Sequence, residues 1–159
     1  MKRTILLLLT TLLIGLKVNS QNLTCSDFKT GRFYIPKTKE IGKYTVVSND
    51  SIWEFTADID TSVKKHVVVR EKNTQIEWEN EIGNGSPRHE IIEWIDDCTY
   101  RLTYDASKSE LEDDKQWINK NNGIIVSKNK IEGNCMHYTA TMILNDGSKI
   151  SQNGIICKE

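Results

Sequence analysis

Several groups of residues in this chain have the types and spacings that chemistry requires. Ser26-Asp27-Phe28-Lys29 has the Ser-x-x-Lys form, and Lys29-Thr30-Gly31 the Lys-Thr-Gly form, of serine acyl-transfer enzymes. There the two lysines come from separate elements that converge on the substrate. Here both strings share Lys29, and the segment reads as a turn leading into a strand. Glu77 and Glu79 share a strand face, with Glu90 and Glu93 beyond the next turn, and paired carboxylates serve general acid and base work. Glutamates alternating with Ile76 and Trp78 are also how a solvated strand face looks, and the pattern favours that reading.

The three imidazoles, His66, His89 and His137, have no second ligand at helical or zinc-type spacing, so no metal or other cofactor is expected. His66 and His137 fall on outward strand faces. Asp58-Ile59-Asp60-Thr61-Ser62 opens like a calcium loop but lacks its glycine and closing glutamate. No catalytic residue is assigned. The remaining chemistry is apolar recognition. Trp53, Trp78, Trp94 and Tyr100 take inward positions, where they line a ligand cavity or fill a core.

The elements that position these side chains are mostly strands. Phe33 and Ile35 alternate with polar neighbours, as do Trp53, Phe55 and Ala57, and Ile76 and Trp78, with Val67 and Val69 sharing a face between them. The period of two continues in Cys98, Tyr100, Leu102 and Tyr104, and again in Met136, Tyr138, Ala140, Met142 and Leu144. Ser48-Asn49-Asp50, Gly83 to Pro87, and Asn121-Asn122-Gly123 are turn signals between them. Ser107 and Ser109, each with a glutamate three residues on, are capping boxes for a short helix reaching about Asn119, with Leu111, Lys115 and Ile118 on its inward stripe. The expected fold is a single mainly β domain, an antiparallel barrel or sandwich, lipocalin-like in the barrel case, with one helix and two disulfides.

Lys2 and Arg3, the apolar run Ile5 to Leu16 and Val18-Asn19-Ser20 form a signal peptide over residues 1–20, with Gln21 as the mature start. The apolar run is too short for a membrane span. The domain at 21–159 is then secreted or periplasmic and carries 18 basic against 22 acidic side chains. No basic face survives to neutralise phosphates, so nucleic acid is not an expected partner. Cys25, Cys98, Cys135 and Cys157 have three possible pairings. A hairpin turning at Asn145-Asp146-Gly147 pairs Leu144 with Ser148, and counting outward places Cys135 opposite Cys157. That leaves Cys25 with Cys98. Strand parity makes Cys98 inward and Cys135 an outward surface staple.

The stretches Cys25-Ser26-Asp27-Phe28-Lys29-Thr30-Gly31-Arg32-Phe33 and Trp94-Ile95-Asp96-Asp97-Cys98-Thr99-Tyr100-Arg101-Leu102, with Val69-Arg70 and Gln75-Ile76-Glu77 between them, resemble a group of small, uncharacterised secreted proteins of Bacteroidetes-type bacteria. The resemblance covers most of residues 25–105. Some members carry a label naming a type IV DNA topoisomerase, machinery that a small secreted acidic domain cannot house. The resemblance implies an exported protein and the Cys25–Cys98 bond, and brings no activity.

Three functions fit the residues. The first is a secreted, non-catalytic protein holding an apolar small molecule in a β-barrel. The second is an envelope or extracellular protein-interaction module that uses a surface or sheet edge. A carboxylate-dependent hydrolase ranks below both.

Overall fold

Residues 22–159 are described by the computed structural model; the signal-peptide assignment falls on 1–20, outside the described residues. Ten antiparallel strands form one sheet: β1 (Gly31–Pro36), β2 (Lys43–Ser48), β3 (Ser51–Thr56), β4 (Lys65–Glu71), β5 (Thr74–Glu79), β6 (Arg88–Trp94), β7 (Thr99–Tyr104), β8 (Ile124–Glu132), β9 (Cys135–Ile143) and β10 (Lys149–Lys158). The order is β1-β4-β5-β6-β7-β8-β9-β10-β2-β3, and β10 also pairs with β1 through Phe33↔Lys158 and Tyr34↔Cys157. Eight strands therefore close a barrel, and closure decides against a sandwich. The β2–β3 hairpin leaves the wall as a flap, hydrogen-bonded only to the first residues of β10, Lys149 to Ser151.

The turns follow from local chemistry. Asn49 and Asp50 both have positive φ, +46° and +62°, the left-handed conformations that a two-residue hairpin between Ser48 and Ser51 demands. Gly147 at φ +85° closes the β9–β10 hairpin, where Leu144 N donates to Ser148 O at 2.8 Å. That register is the one counted from the sequence, and it sets Cys135 directly opposite Cys157.

Both expected disulfides form, Cys25–Cys98 and Cys135–Cys157. The second is not the surface staple that parity suggested. Cys157 is buried although it faces away from the barrel axis beside Tyr34. Nor does Cys98 sit on strand β7; it lies half-buried in the turn before it. In the chain-entropy model a bond closing 22 residues stabilises by about 3 kcal/mol. Replacing both Cys135 and Cys157 by alanine is expected to cost that amount in urea unfolding, and a loss under about 1 kcal/mol would refute the assignment of stability to this bond.

Among the described residues there is one α-helix, α1 (Asp113–Lys120), and it starts later than the capping boxes suggested. Ser107 is engaged elsewhere: its hydroxyl and N–H both bond Asp105 Oδ1, at 2.6 and 2.9 Å, in a side-chain turn that competes with capping. Asn119 ties the helix to the barrel, its amide accepting from Tyr104 N at 2.8 Å and donating to Tyr104 O at 2.9 Å.

Two apolar clusters fill the barrel. Phe28, Phe33, Val68, Met136 and Ile156 form one, and Ile92, Tyr100, Leu102 and Val126 the other, with Tyr138 packed against both. Phe28 reaches the first from a 3₁₀ turn, Cys25–Phe28, held by a hydrogen bond from Thr24 N to Asp27 at 2.8 Å. Cys25–Cys98 anchors this plug to the β6–β7 turn.

Candidate functional site

The barrel interior contains titratable side chains, Glu77 and His66 among them, that the sequence pattern placed outside. Arg70 is 2% exposed, and its guanidinium donates to Gln75 Oε1 at 3.0 Å, Phe28 O at 2.8 Å and the Tyr100 hydroxyl at 2.8 Å. Its plane lies 4.7 Å from the Tyr100 ring centroid and 5.6 Å from that of Phe33. Gln75 passes the polarity on, donating to Glu90 Oε2 at 2.5 Å. Beside this relay Glu77 pairs with Arg88 and lies 3.1 Å from His66 Nδ1, which is itself 2.7 Å from Arg88 Nη2.

The two carboxyl groups sit in opposed protonation environments. Burial, then repulsion from Glu77, push Glu90 up to about 8, against the weaker pull of Gln75, Arg88 and Arg70. For Glu77, burial also opposes ionisation, but His66 and Arg88 together outweigh it and hold the group below its usual range. Tyr104 and Tyr138 are both raised, first by burial, with nearby carboxylates adding to it. Separated carboxyl pKa values are what acid–base catalysis uses. Here, however, Glu90 is 5% exposed, and neither it nor Glu77 lines any of the four clefts described below. The contacts of the cluster link β4, β5, β6 and β7 across the barrel.

This interior corrects several assignments. Arg70↔Gln75 and Val68↔Glu77 are register partners, so Gln75 and Glu77 face the axis, and Ile76 and Trp78 the other side. Glu77 is therefore not on a solvated face, whereas Glu93 is exposed and pairs with Arg101 at 2.6 Å. His66 faces inward beside Glu77, while His137 faces away from the axis as expected. Lys29 Nζ bonds Asp97 at 3.2 Å and lies 5.0 Å above the Trp94 ring, and Ser26 bonds Thr24 at 2.7 Å, so the Ser-x-x-Lys string does not assemble. Asp60 accepts from Ser62 N at 2.8 Å, an ordinary side-chain turn.

The four aromatic candidates are not brought together. Trp94 and Tyr100 are inward register partners at one end of the barrel, with ring centroids 5.0 Å apart and Trp94 Nε1 donating to Lys72 O at 3.0 Å. Trp78 packs on the outside at the level of Val67. Trp53 is on the flap and 53% exposed.

The flap is the most unusual part of the surface. All six residues of β3 are exposed, including Ile52 at 68% and Phe55 at 47%. Phe55 stacks on Tyr44 at 5.0 Å. Trp53 opposes Val46, which opposes Ile150, so Trp53 and Phe55 continue the barrel-lining parity beyond the barrel. The sheet ends at β3, and the outer side of that strand has no neighbour among the described residues. Clefts of about 590, 530, 410 and 230 Å³ open on the surface. The largest lies against the flap and is lined by Glu40, Lys43, Glu54, Thr56, Ser151 and Asn153 among others.

No helix among the described residues is long and apolar enough to cross a membrane. Two disulfides belong to an oxidising environment, extracellular or periplasmic. No family model matches the chain, and no curated protein matches it. Among solved structures the chain is similar to that of the vaccine antigen Transferrin Binding Protein B, mutant Trp-176-Ala, from Haemophilus parasuis Hp5, with a TM-score of 0.34 and 11% identity. The similarity covers 81% of this chain and 26% of that one, so it spans about a quarter of the solved chain.

Proposed function

We propose that this chain is an exported, non-catalytic interaction module whose contact surface is the β2–β3 flap. One observation carries the reading: Trp53 and Phe55 are exposed side by side on one face, and Ile52 on the other, of a strand that ends the sheet. Clustered apolar exposure of this kind marks interaction surfaces, since a monomeric surface otherwise gains nothing by keeping it in water. Aromatic anchors at such a site carry a large share of binding energy.

The alternative of an apolar molecule held inside the barrel finds less support. The inward pair Trp94 and Tyr100 pack on each other, and the rest of the interior is occupied by the two apolar clusters and the Arg70 network. The cleft beside His66 and Glu79, which Ile41, Ile59 and Val63 line together with Lys37, Asp58 and Asp60, measures about 230 Å³, below the usual range for a small-molecule site.

The test is capture by chemical cross-linking from the exported fraction of the producing cell, comparing the native chain with Trp53→Ser/Phe55→Ser. Circular dichroism should be unchanged, because neither side chain is buried in the barrel. A partner whose recovery falls tenfold or more in the variant is the expected result. Equal recovery would remove the flap from the function, and saturable displacement of an apolar dye by both proteins alike would favour the interior instead.

A further inference from the structure

We infer that β3 is an acceptor edge for strand addition, and that its ligand is an extended segment of another protein in which apolar residues alternate with basic ones. This rests on the flap being the contact surface and goes further by assigning the mode of pairing and the chemistry of the partner.

The first argument is the backbone. Ala57 N donates to Gly42 O, so by the alternation of an antiparallel ladder the odd-numbered residues of β3 bond to β2. Ile52, Glu54 and Thr56 then turn their N–H and C=O groups to the open side. Three residues in this arrangement offer a row of donors and acceptors to an incoming strand. Sheet edges are ordinarily blunted by charged side chains, lysine above all, by proline or by a bulge. Ser-Ile-Trp-Glu-Phe-Thr has no lysine, proline or bulge and the single charge of Glu54; its aromatic and β-branched residues favour extended pairing.

The second argument concerns the two faces. An added antiparallel strand places residues directly opposite one another on the same face. Apolar residues of the ligand would lie beside Trp53 and Phe55, and those between them beside Ile52, Glu54 and Thr56. Glu54 is exposed and has no ion-pair partner among the described residues, whereas nearby Glu40 already pairs with Lys43 at 3.1 Å. The open charge calls for a cation on the opposing strand.

The third argument excludes the simplest occupant, a second copy of the chain. Two β3 edges related by a twofold axis keep their faces aligned only if even-numbered residues oppose even-numbered residues. Glu54 would then meet Ile52, itself or Thr56, with Asp50 and Asp58 beyond the strand ends, and no basic residue is among them. Self-pairing leaves the carboxylate unanswered or sets it against another. A foreign strand with lysine or arginine at alternate positions answers it.

The experiment uses the purified protein and a fluorescently labelled ten-residue peptide alternating valine with lysine, followed by anisotropy at fixed ionic strength. Saturable binding is expected. It should weaken at least tenfold when alternate backbone amides of the peptide, those facing β3, are N-methylated, and at least tenfold with Trp53→Ser. Replacing the peptide lysines by glutamate should abolish binding to the native chain and restore it to the Glu54→Lys variant. Absence of peptide binding, or equal binding by the methylated peptide, would overturn strand addition. If methylation is without effect while Trp53→Ser still abolishes cross-linked partner capture, the flap remains the contact surface and only the pairing mode fails. If capture too is indifferent to Trp53, the functional reading fails with it. A concentration-dependent dimer in sedimentation that Trp53→Ser dissolves would replace the foreign strand by a second copy.

Discussion

Replacing Arg70 by alanine is expected to lower the unfolding free energy by about 3–5 kcal/mol, the usual cost of removing one partner from a buried charged network. Four groups lose their partner at once: Gln75 Oε1, the Phe28 carbonyl, the Tyr100 hydroxyl and the aromatic faces on which the guanidinium lies. Gln75 would then hold Glu90 through one amide with nothing orienting it. Arg70→Lys tells network geometry from charge. An ammonium cannot reproduce three hydrogen bonds diverging from one planar fork, so lysine should recover only a minor part of the loss. Urea unfolding of the two variants measures both. A cost below about 1 kcal/mol for Arg70→Ala would show that water replaces the arginine without penalty, and the interior would have to be more open than described.

The second large effect is a fall in stability from mildly acid to mildly alkaline pH that Glu90→Gln removes. In the unfolded chain Glu90 ionises near 4.5; in the fold, burial and the Glu77 charge keep it protonated up to about 8. Its folded value is the higher one. The stabilisation is therefore complete below the unfolded value and is lost as pH rises through the folded value. Between these limits unfolding releases a proton, and stability declines by up to about 1.4 kcal/mol per pH unit. The carboxylates held low, Glu77 among them, act in the opposite sense and are lost on acidification. The native protein should consequently show a stability maximum near pH 5. Glu90→Gln, which keeps an acceptor for Gln75 without a charge, should flatten the alkaline side and exceed the native chain by several kcal/mol at pH 8, with the difference shrinking toward pH 5. Parallel curves for the two proteins would mean that Glu90 is ionised in the fold at neutral pH.

Residues that read correctly from the sequence share one property: their strand had a single plausible wet side. In β7, Tyr100, Leu102 and Tyr104 alternate with threonines and an arginine, and they do face inward. In β9, Met136, Tyr138, Ala140 and Met142 do the same, and the three-residue loop ahead of β10 set the disulfide register. The reading failed at β4 and β5. Val67, Val68 and Val69 are apolar at consecutive positions, and the alternation read on Val67 and Val69 chose the wrong face, since Val68 and Arg70 point to the axis. In β5 the apolar residues Ile76 and Trp78 line the outer face, while Gln75 and Glu77 go in. A signal for this did exist: Arg70 opposite Gln75, and Glu77 opposite Arg88, are complementary at register positions. It becomes visible only once the strand pairing is known.

Trp53 shows the other limit. Its alternation with Glu54 is indistinguishable from that of a core strand, and it does carry barrel-lining parity. Parity states which side chains share a face, not whether anything covers that face. The wall closes between β10 and β1 and leaves β2–β3 outside, and this decides exposure.

By itself, then, the sequence determined what is local: strand periods, the turns at Asn49-Asp50 and Gly147, the hairpin register that joins Cys135 to Cys157, and the mainly β character of the domain. Tertiary structure alone decided which face of β4 and β5 is inside, that a polar relay through Arg70, Gln75 and Glu90 lies among the apolar clusters of the barrel, and that one aromatic hairpin is left uncovered. The reason is physical. Side-chain alternation and turn conformation are fixed over a few bonds, whereas burial of an ion or exposure of a tryptophan depends on partners dozens of residues away, and these meet only when the barrel closes.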